Sequence, residues 1–379
     1  MNAGRPDHSD IIASPYSGAF LLIHLGCFGV FWTGLGSHAL LLGLALYLVR
    51  IFAIGAGYHR YFAHRAFRTS RAFQFGLAFL SQTSAQRGVL WWAAKHRQHH
   101  KHSDTYSDVH SPVLCGFLHA HVGWVFASRN DATDHGSVAD LTQYKELLWL
   151  DRHSYLPVAS LALFTWLVAG WPGLVIGFCW STVAVWHVTF SVNSLCHIVG
   201  RRRYITGDQS RNNWLLALLT MGEGWHNNHH ACQTSARQGF RWWEFDPTFY
   251  MLRALSCFGL VWDLHVPPKA LVRGEHKLGR RVINEVGGQL AASFPINVIV
   301  NQALEILARA PNGAELKSRI LPQVPTLDEV RCYAGARLAQ TPSLDEIALS
   351  ARQRLLELVY SRLIKAAASS SADKNHGGL

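Results

Sequence analysis

Two long stretches without a formal charge constrain this fold more than any other feature. No Asp, Glu, Lys or Arg occurs from Ile11 to Val49, nor from His153 to Gly200. An α-helix rises 1.5 Å per residue, so about 20 apolar residues cross the ~30 Å hydrocarbon core of a bilayer. Each stretch is long enough for two crossings and carries a break near its middle, at Gly34 to Ser37 and at Gly170-Trp171-Pro172-Gly173. The pattern predicts an all-α integral membrane protein with four spans, at about 15–34, 38–57, 154–171 and 173–195. Arg50 would lie about 21 Å along the second span, near enough to the interface to snorkel toward it.

Composition fits a membrane domain joined to a polar part. Hydrophobic residues make up 49% of the 379 and charged residues 16%, against about 25% charged in an average soluble domain. The mean hydropathy is nevertheless only +0.07. A net charge of +11 raises nucleic acid as a partner, but basic residues beside apolar spans mark cytoplasmic loops instead. The segment from His59 to His153 is rich in Arg and Lys, whereas the two inter-helix turns have none. That asymmetry puts both termini and every histidine cluster on the cytoplasmic side, with a bacterial inner membrane as the expected location. The seven cysteines form no CxxC pair and read as reduced thiols. No cleavable signal is expected, because the first apolar run lacks a basic flank. Residues 1–10 are expected to be mobile.

Histidine, with 22 copies, carries the chemistry. His226, His229 and His230 in GEGWHNNHH stand at i, i+3 and i+4, and His96, His99 and His100 in KHRQHH repeat that spacing. One such group alone also fits a solvated turn; two in one membrane protein point to metal ligands, and a short segment of this kind can serve two neighbouring metals. His59 and His64 in HRYFAH end the second span, but at ~100° per residue they diverge by roughly 140° on an unbroken α-helix. They meet only if the helix frays there. Asn193 and His197, at i and i+4, end the fourth span. Asp104, Asp108 and Glu223 are placed to accept the outward N–H of ligating imidazoles, while His119 and His121 read as packing or as supports for such ligands. Residues 72–92 are interrupted by Gln82, Ser84, Gln86 and Arg87, which suits a helix lying in the interface or lining a cavity.

HRYFAH, HRQHH and HNNHH, with SDTYSDVHSP, GFLHAHVGW, SARQG and WWEFDP around them, resemble the three histidine boxes of the membrane fatty acid desaturases, in their delta-9, stearoyl-CoA desaturase-like branch. The resemblance runs over about residues 15–265, within an expected membrane desaturase domain at 11–265. It implies a di-iron enzyme with a cytoplasmic helical cap, nine histidine ligands and O2 as co-substrate. By motif, His59, His64, His96, His100 and His230 would hold one iron, and His99, His197, His226 and His229 the other, with Asn193 reaching the second through water. Gln86, Trp92 and Thr189 match positions that shape the kinked acyl tunnel, and Phe190 replaces a tryptophan of the family. Ala94 and Lys95 stand where animal acyl-CoA members of the family carry Arg-Asp, so the head group stays open between CoA, lipid and carrier protein; Lys95 and Arg129 remain available to phosphates.

The resemblance implies removal of two hydrogens from adjacent methylenes, with electrons from a ferredoxin, a rubredoxin or a b-type cytochrome and its reductase. A hydroxylase on the same scaffold is the alternative. A His-rich metal transporter fits less well, since transporters bind near the bilayer midplane. Beyond VPPK at 266–269, an amphipathic stretch around 280–310 and capping boxes at Thr326–Glu329 and Ser343–Glu346 predict a helical extension over 270–368. Its last helix, about 344–367, packs on the catalytic domain or docks the donor. Residues 369–379 are expected to be disordered.

Overall fold

A computed structural model describes residues 15–273 and Val282. The chain divides into two units, Met1–Val272 and Arg273–Leu379, and the description concerns the first. The first ten residues, expected to be mobile, the expected extension helices with their capping boxes, and the tail fall outside the described residues.

The described fold is mostly helical. Helix α1 (Pro15–Gly26) continues through a tighter turn to Thr33, and Gly34–Gly36 separates it from α2 (Ser37–Ala53). Three helices are long and apolar enough to cross a membrane: Tyr16–Thr33, Ser37–Ala63 and Tyr155–His197. The sequence predicts four, because the third is two segments joined across a break. Ala169 and Gly170 leave helical geometry, Gly170 at φ 60°, a region open to glycine without steric cost. Beyond the break the chain doubles back. A Cβ on Gly177 would lie 3.4 Å from Thr165 Cγ2, whereas twelve residues of straight helix would separate them by about 18 Å.

Large side chains such as Leu22, Phe31, Trp32 and Leu167 point outward on these helices, as a lipid-facing surface requires. Arg50 does not snorkel. It is 1% exposed and donates to Leu46 O at 3.1 Å, to Thr182 Oγ1 at 2.7 Å and to Ser181 Oγ. The opposing helix offers two hydroxyls at its level, and a hydrogen-bonded buried cation escapes part of its desolvation cost.

The histidine-bearing part sits on one end of these helices. The 72–92 stretch is broken into α3 (Arg71–Gln82) and α4 (Val89–His102), joined by a turn in which Ala85 and Arg87 have φ of 57° and 67°. Gln82 Oε1 accepts from Val89 N at 3.0 Å, and Asp151 Oδ1 from Leu90 N at 2.8 Å, satisfying the free donors of the α4 N-terminus. Tyr58, Phe62, Leu90, Leu147, Leu150 and Leu252 are fully buried around this joint. A two-residue antiparallel pairing, Arg68–Thr69 with Val261–Trp262, ties the end of the second span to the last described helices.

Candidate metal centre

The α2 helix does not fray where the first two histidines lie; it widens. Ile54–Ala63 is a π-helix, and His64 N donates to His59 O at 3.2 Å. A repeat of i to i+5 brings residues five apart onto one face, so the His59 and His64 rings stand 5.0 Å apart between centroids. Helix α4, the tighter turn Leu195–His197 that follows α5 (Ser181–Ser194), and α6 (His226–Ala231) bring the others.

The nine histidines fall into two groups, His59, His64, His96, His100 and His229, and His99, His197, His226 and His230, the ligand atoms of each lying within 4.8 Å of one another. This corrects the expected split: His229 and His230 exchange places. On α6, His226 and His230 diverge by only ~40°, while His229 turns ~60° the other way. His229 Nε2 accordingly lies 2.9 Å from the Nε2 atoms of both His59 and His100. A third group, His99, Asp108 and His110, shares His99, whose Nδ1 already faces Asp108 at 3.0 Å.

Carboxylates sit behind four of the rings. Nδ1 of His59 meets Glu223, that of His99 meets Asp108, that of His197 meets Asp104 at 2.9 Å, and that of His230 meets Asp208 at 2.7 Å. Asp208 was not foreseen. It lies in Thr206-Gly207-Asp208-Gln209, which carries no motif, and it is fixed by Thr206 Oγ1 at 2.7 Å and Ser210 N at 3.0 Å. Arg60 was also missed, although it adjoins His59. Fully buried, it donates to Glu223 Oε1 at 2.8 Å and to Asp246 Oδ1 at 2.8 Å, and Gln238 Nε2 adds a third hold on Glu223 at 3.2 Å.

Protons on the four carboxylate-facing Nδ1 atoms leave bare lone pairs on the opposite Nε2 atoms, and these converge in each group. Nε2 of His99 and of His230 have no hydrogen-bond partner. Lone pairs crowded this way repel unless a cation sits among them, so the donor set fits metal in both groups. Burial and then the neighbouring imidazoles push His64, His96, His100, His226 and His229 well below the usual range, keeping them neutral. Burial alone would raise Glu223, but the Arg60 charge and the hydrogen bonds from His59 and Arg60 hold it at about 2. Asn193 is half-buried one turn before His197. His121 bonds instead to Ser194 and His187, both at 3.0 Å, apart from either group.

An apolar pocket of about 550 Å³ adjoins the first group and is lined by Gln86, Trp92, Phe178, Trp186 and Phe190 among others. Trp92 stacks on His96 at 4.9 Å and so forms the wall between pocket and metal group. Its Nε1 donates to Gln86 Oε1 at 3.3 Å, and Gln86 Nε2 donates to Thr189 Oγ1 at 2.8 Å. Thr189 acts from behind this wall; its neighbour Phe190 is the one that lines the space. Lys95 is half-buried outside the lining, its pKa lowered by burial and by Arg87.

The fatty acid desaturase profile matches residues 35–260. The chain is 40% identical over 234 residues to an acyl-CoA 5-desaturase of Anemone leveillei, covering 60% of this chain and 71% of the relative. It is 33% identical over 241 residues to an sn-2 palmitoyl-lipid 9-desaturase of Nostoc sp., covering 62% and 85%. To a probable acyl-CoA desaturase of Schizosaccharomyces pombe it is 32% identical over 292 residues, covering 73% and 60%. With the profile over more than half its length and relatives of this kind, the chain belongs to the fatty acid desaturase family and is an oxidoreductase that desaturates fatty acyl groups.

Proposed function

We propose that the chain is an O2-dependent desaturase that introduces a cis double bond at the Δ9 position of a saturated acyl chain, using two iron ions and two electrons from a separate redox protein. The observation that carries this reading is the Trp92 wall: one face lines an acyl-sized apolar pocket and the ring stacks on His96 of the first group. His59, His64, His96, His100 and His229 would hold one iron; His99, His197, His226 and His230 the other, with Asn193 reaching it through water. Imidazole suits several metals, and iron follows from the family.

When bound, the iron pair supplies the O2-dependent oxidation that unactivated C–H bonds demand and acid–base groups do not offer. The protein does the rest. Glu223, Asp108, Asp104 and Asp208 hold the Nδ1 protons, so each opposite Nε2 faces its metal. Gln86, Trp92 and Thr189 fix which carbons stand beside the site, and the apolar lining excludes water.

The domain over 11–265 crosses a bacterial inner membrane four times, with the helical cap, both termini and the 270–368 extension cytoplasmic. A ferredoxin, a rubredoxin or a b-type cytochrome with its reductase delivers the electrons, and a basic face suits an acidic donor. Relatives named for acyl-CoA and for acyl-lipid substrates support either head group. The test is expression in a host lacking its own desaturase, with double-bond position read by mass spectrometry. Wild-type protein should yield the Δ9 cis product and His229→Ala none. Saturated lipids left unchanged despite iron and a working donor would sink the reading, and a hydroxylated product would favour the monooxygenase.

A further inference from the structure

The pocket has an open side. From α1 it takes Tyr16, Ala19, Phe20 and Ile23, an i, i+3, i+4, i+7 row along one helical face. From Tyr155–Pro172 it takes Tyr155, Val158, Ala159 and Ala162, the same row on the opposing helix. Exposure falls along the α1 row to the buried Ile23, while the opposing row stays open as far as Ala159. Tyr16 and Tyr155 are 40% and 62% exposed, whereas Ile23, Phe178 and Trp186 are at most 9% exposed and close the bottom. The alanines leave a gap that larger side chains would fill, and Ala19 and Ala159 are exposed along it. Both helices belong to candidate membrane spans, so this open edge faces lipid.

A cation stands at the mouth. Arg152 lines the pocket three residues before Tyr155, where the span begins and lipid phosphates lie. Its side chain is exposed and makes no hydrogen bond or ion pair among the described residues. Arg87, the other arginine of the lining, is by contrast committed to Asp131 and lies over the Tyr16 and Trp91 rings.

We propose that the pocket is loaded sideways from the bilayer, through the slot between α1 and the Tyr155–Pro172 helix, by an acyl chain of a membrane phospholipid whose phosphate meets Arg152. This rests on the desaturase reading and narrows its substrate. A chain taking this path moves from one apolar medium to another and keeps its head group at the interface throughout. Acyl-CoA also carries phosphates, but it arrives from water.

The experiment uses the full-length protein in phosphatidylglycerol vesicles, with two photoreactive probes: phosphatidylglycerol bearing a diazirine in its sn-2 stearoyl chain, and diazirine-stearoyl-CoA added from the aqueous side. Cross-links are mapped by mass spectrometry. The phospholipid probe should label Ile23, Phe178 or Trp186. Ala19→Trp and Ala159→Trp, which fill the slot from opposite sides, should each cut that labelling about tenfold. Labelling by the CoA probe alone, or phospholipid labelling that survives both tryptophans, overturns side entry. Double-bond formation in cells is read separately. Its absence counts against the desaturase reading, whereas product with cross-links from acyl-CoA alone sinks only the entry route.

Discussion

At the scale of single residues, the histidines of the two groups were legible because metal chemistry leaves a spacing: HxxHH twice, plus helix-end histidines. Their partition was not, since which of His229 and His230 turns toward His59 depends on how α6 sits, which spacing alone does not encode. Asp208 was invisible for a related reason, as one carboxylate in a loop has no periodicity. Its contact with His230 nevertheless makes a sharp prediction. Removing the charge that orients a ligating imidazole typically weakens metal binding by about 10–100-fold, so Asp208→Asn should lose iron earlier in a chelator titration followed by metal analysis. Retention equal to wild type would deny it that role. His110 tests the opposite case. It joins a group only through His99 and Asp108, which already face each other, so His110→Ala should keep both irons by elemental mass spectrometry while His99→Ala should not.

At the scale of elements, the sequence located helices and their ends but not their winding. HRYFAH looked divergent because an α-helix was assumed; the π-helix over Ile54–Ala63 removes the divergence. The apolar run from His153 to Gly200 announced its own break, and Gly170 supplies the positive φ there. Arg50 was misread because sequence shows a charge near a helix end, but not the hydroxyls facing it. Ser181 and Thr182 hydroxyls already donate to Gly177 and Phe178 carbonyls, so losing the cation strands no donor. Arg50→Met should therefore be neutral or stabilising, since an apolar side chain replaces a desolvated charge. Ser181→Val, which leaves a buried guanidinium donor unpaired, should cost about 3 kcal/mol. Thermal unfolding in detergent separates the two, and destabilisation of similar size in both would show that the cation itself holds the helices together.

At the scale of the molecule, the proposed function depends on both histidine groups standing on one side of the membrane, and that was readable only as charge asymmetry between loops. The packing adds a geometric reason: both helical breaks, Gly34–Gly36 and Ala169–Gly170, fall at the ends of their hairpins away from His59 and His197. Two hairpins of similar length returning to the same level force the ligands together whichever way the domain inserts. Orientation itself then rests on the Arg and Lys of the long segment. A thiol at position 36 reports it, because a Cβ on Gly36 would touch nothing within 4 Å and its φ of −81° suits any residue. The native exposed Cys257 reports the opposite end. In spheroplasts of a bacterial host, a membrane-impermeant maleimide should label Gly36→Cys from outside, while Cys257 should react only after permeabilisation. The reverse pattern would place the histidine groups outside, away from cytoplasmic electron donors, and the proposed reductive half of the reaction would fail with it.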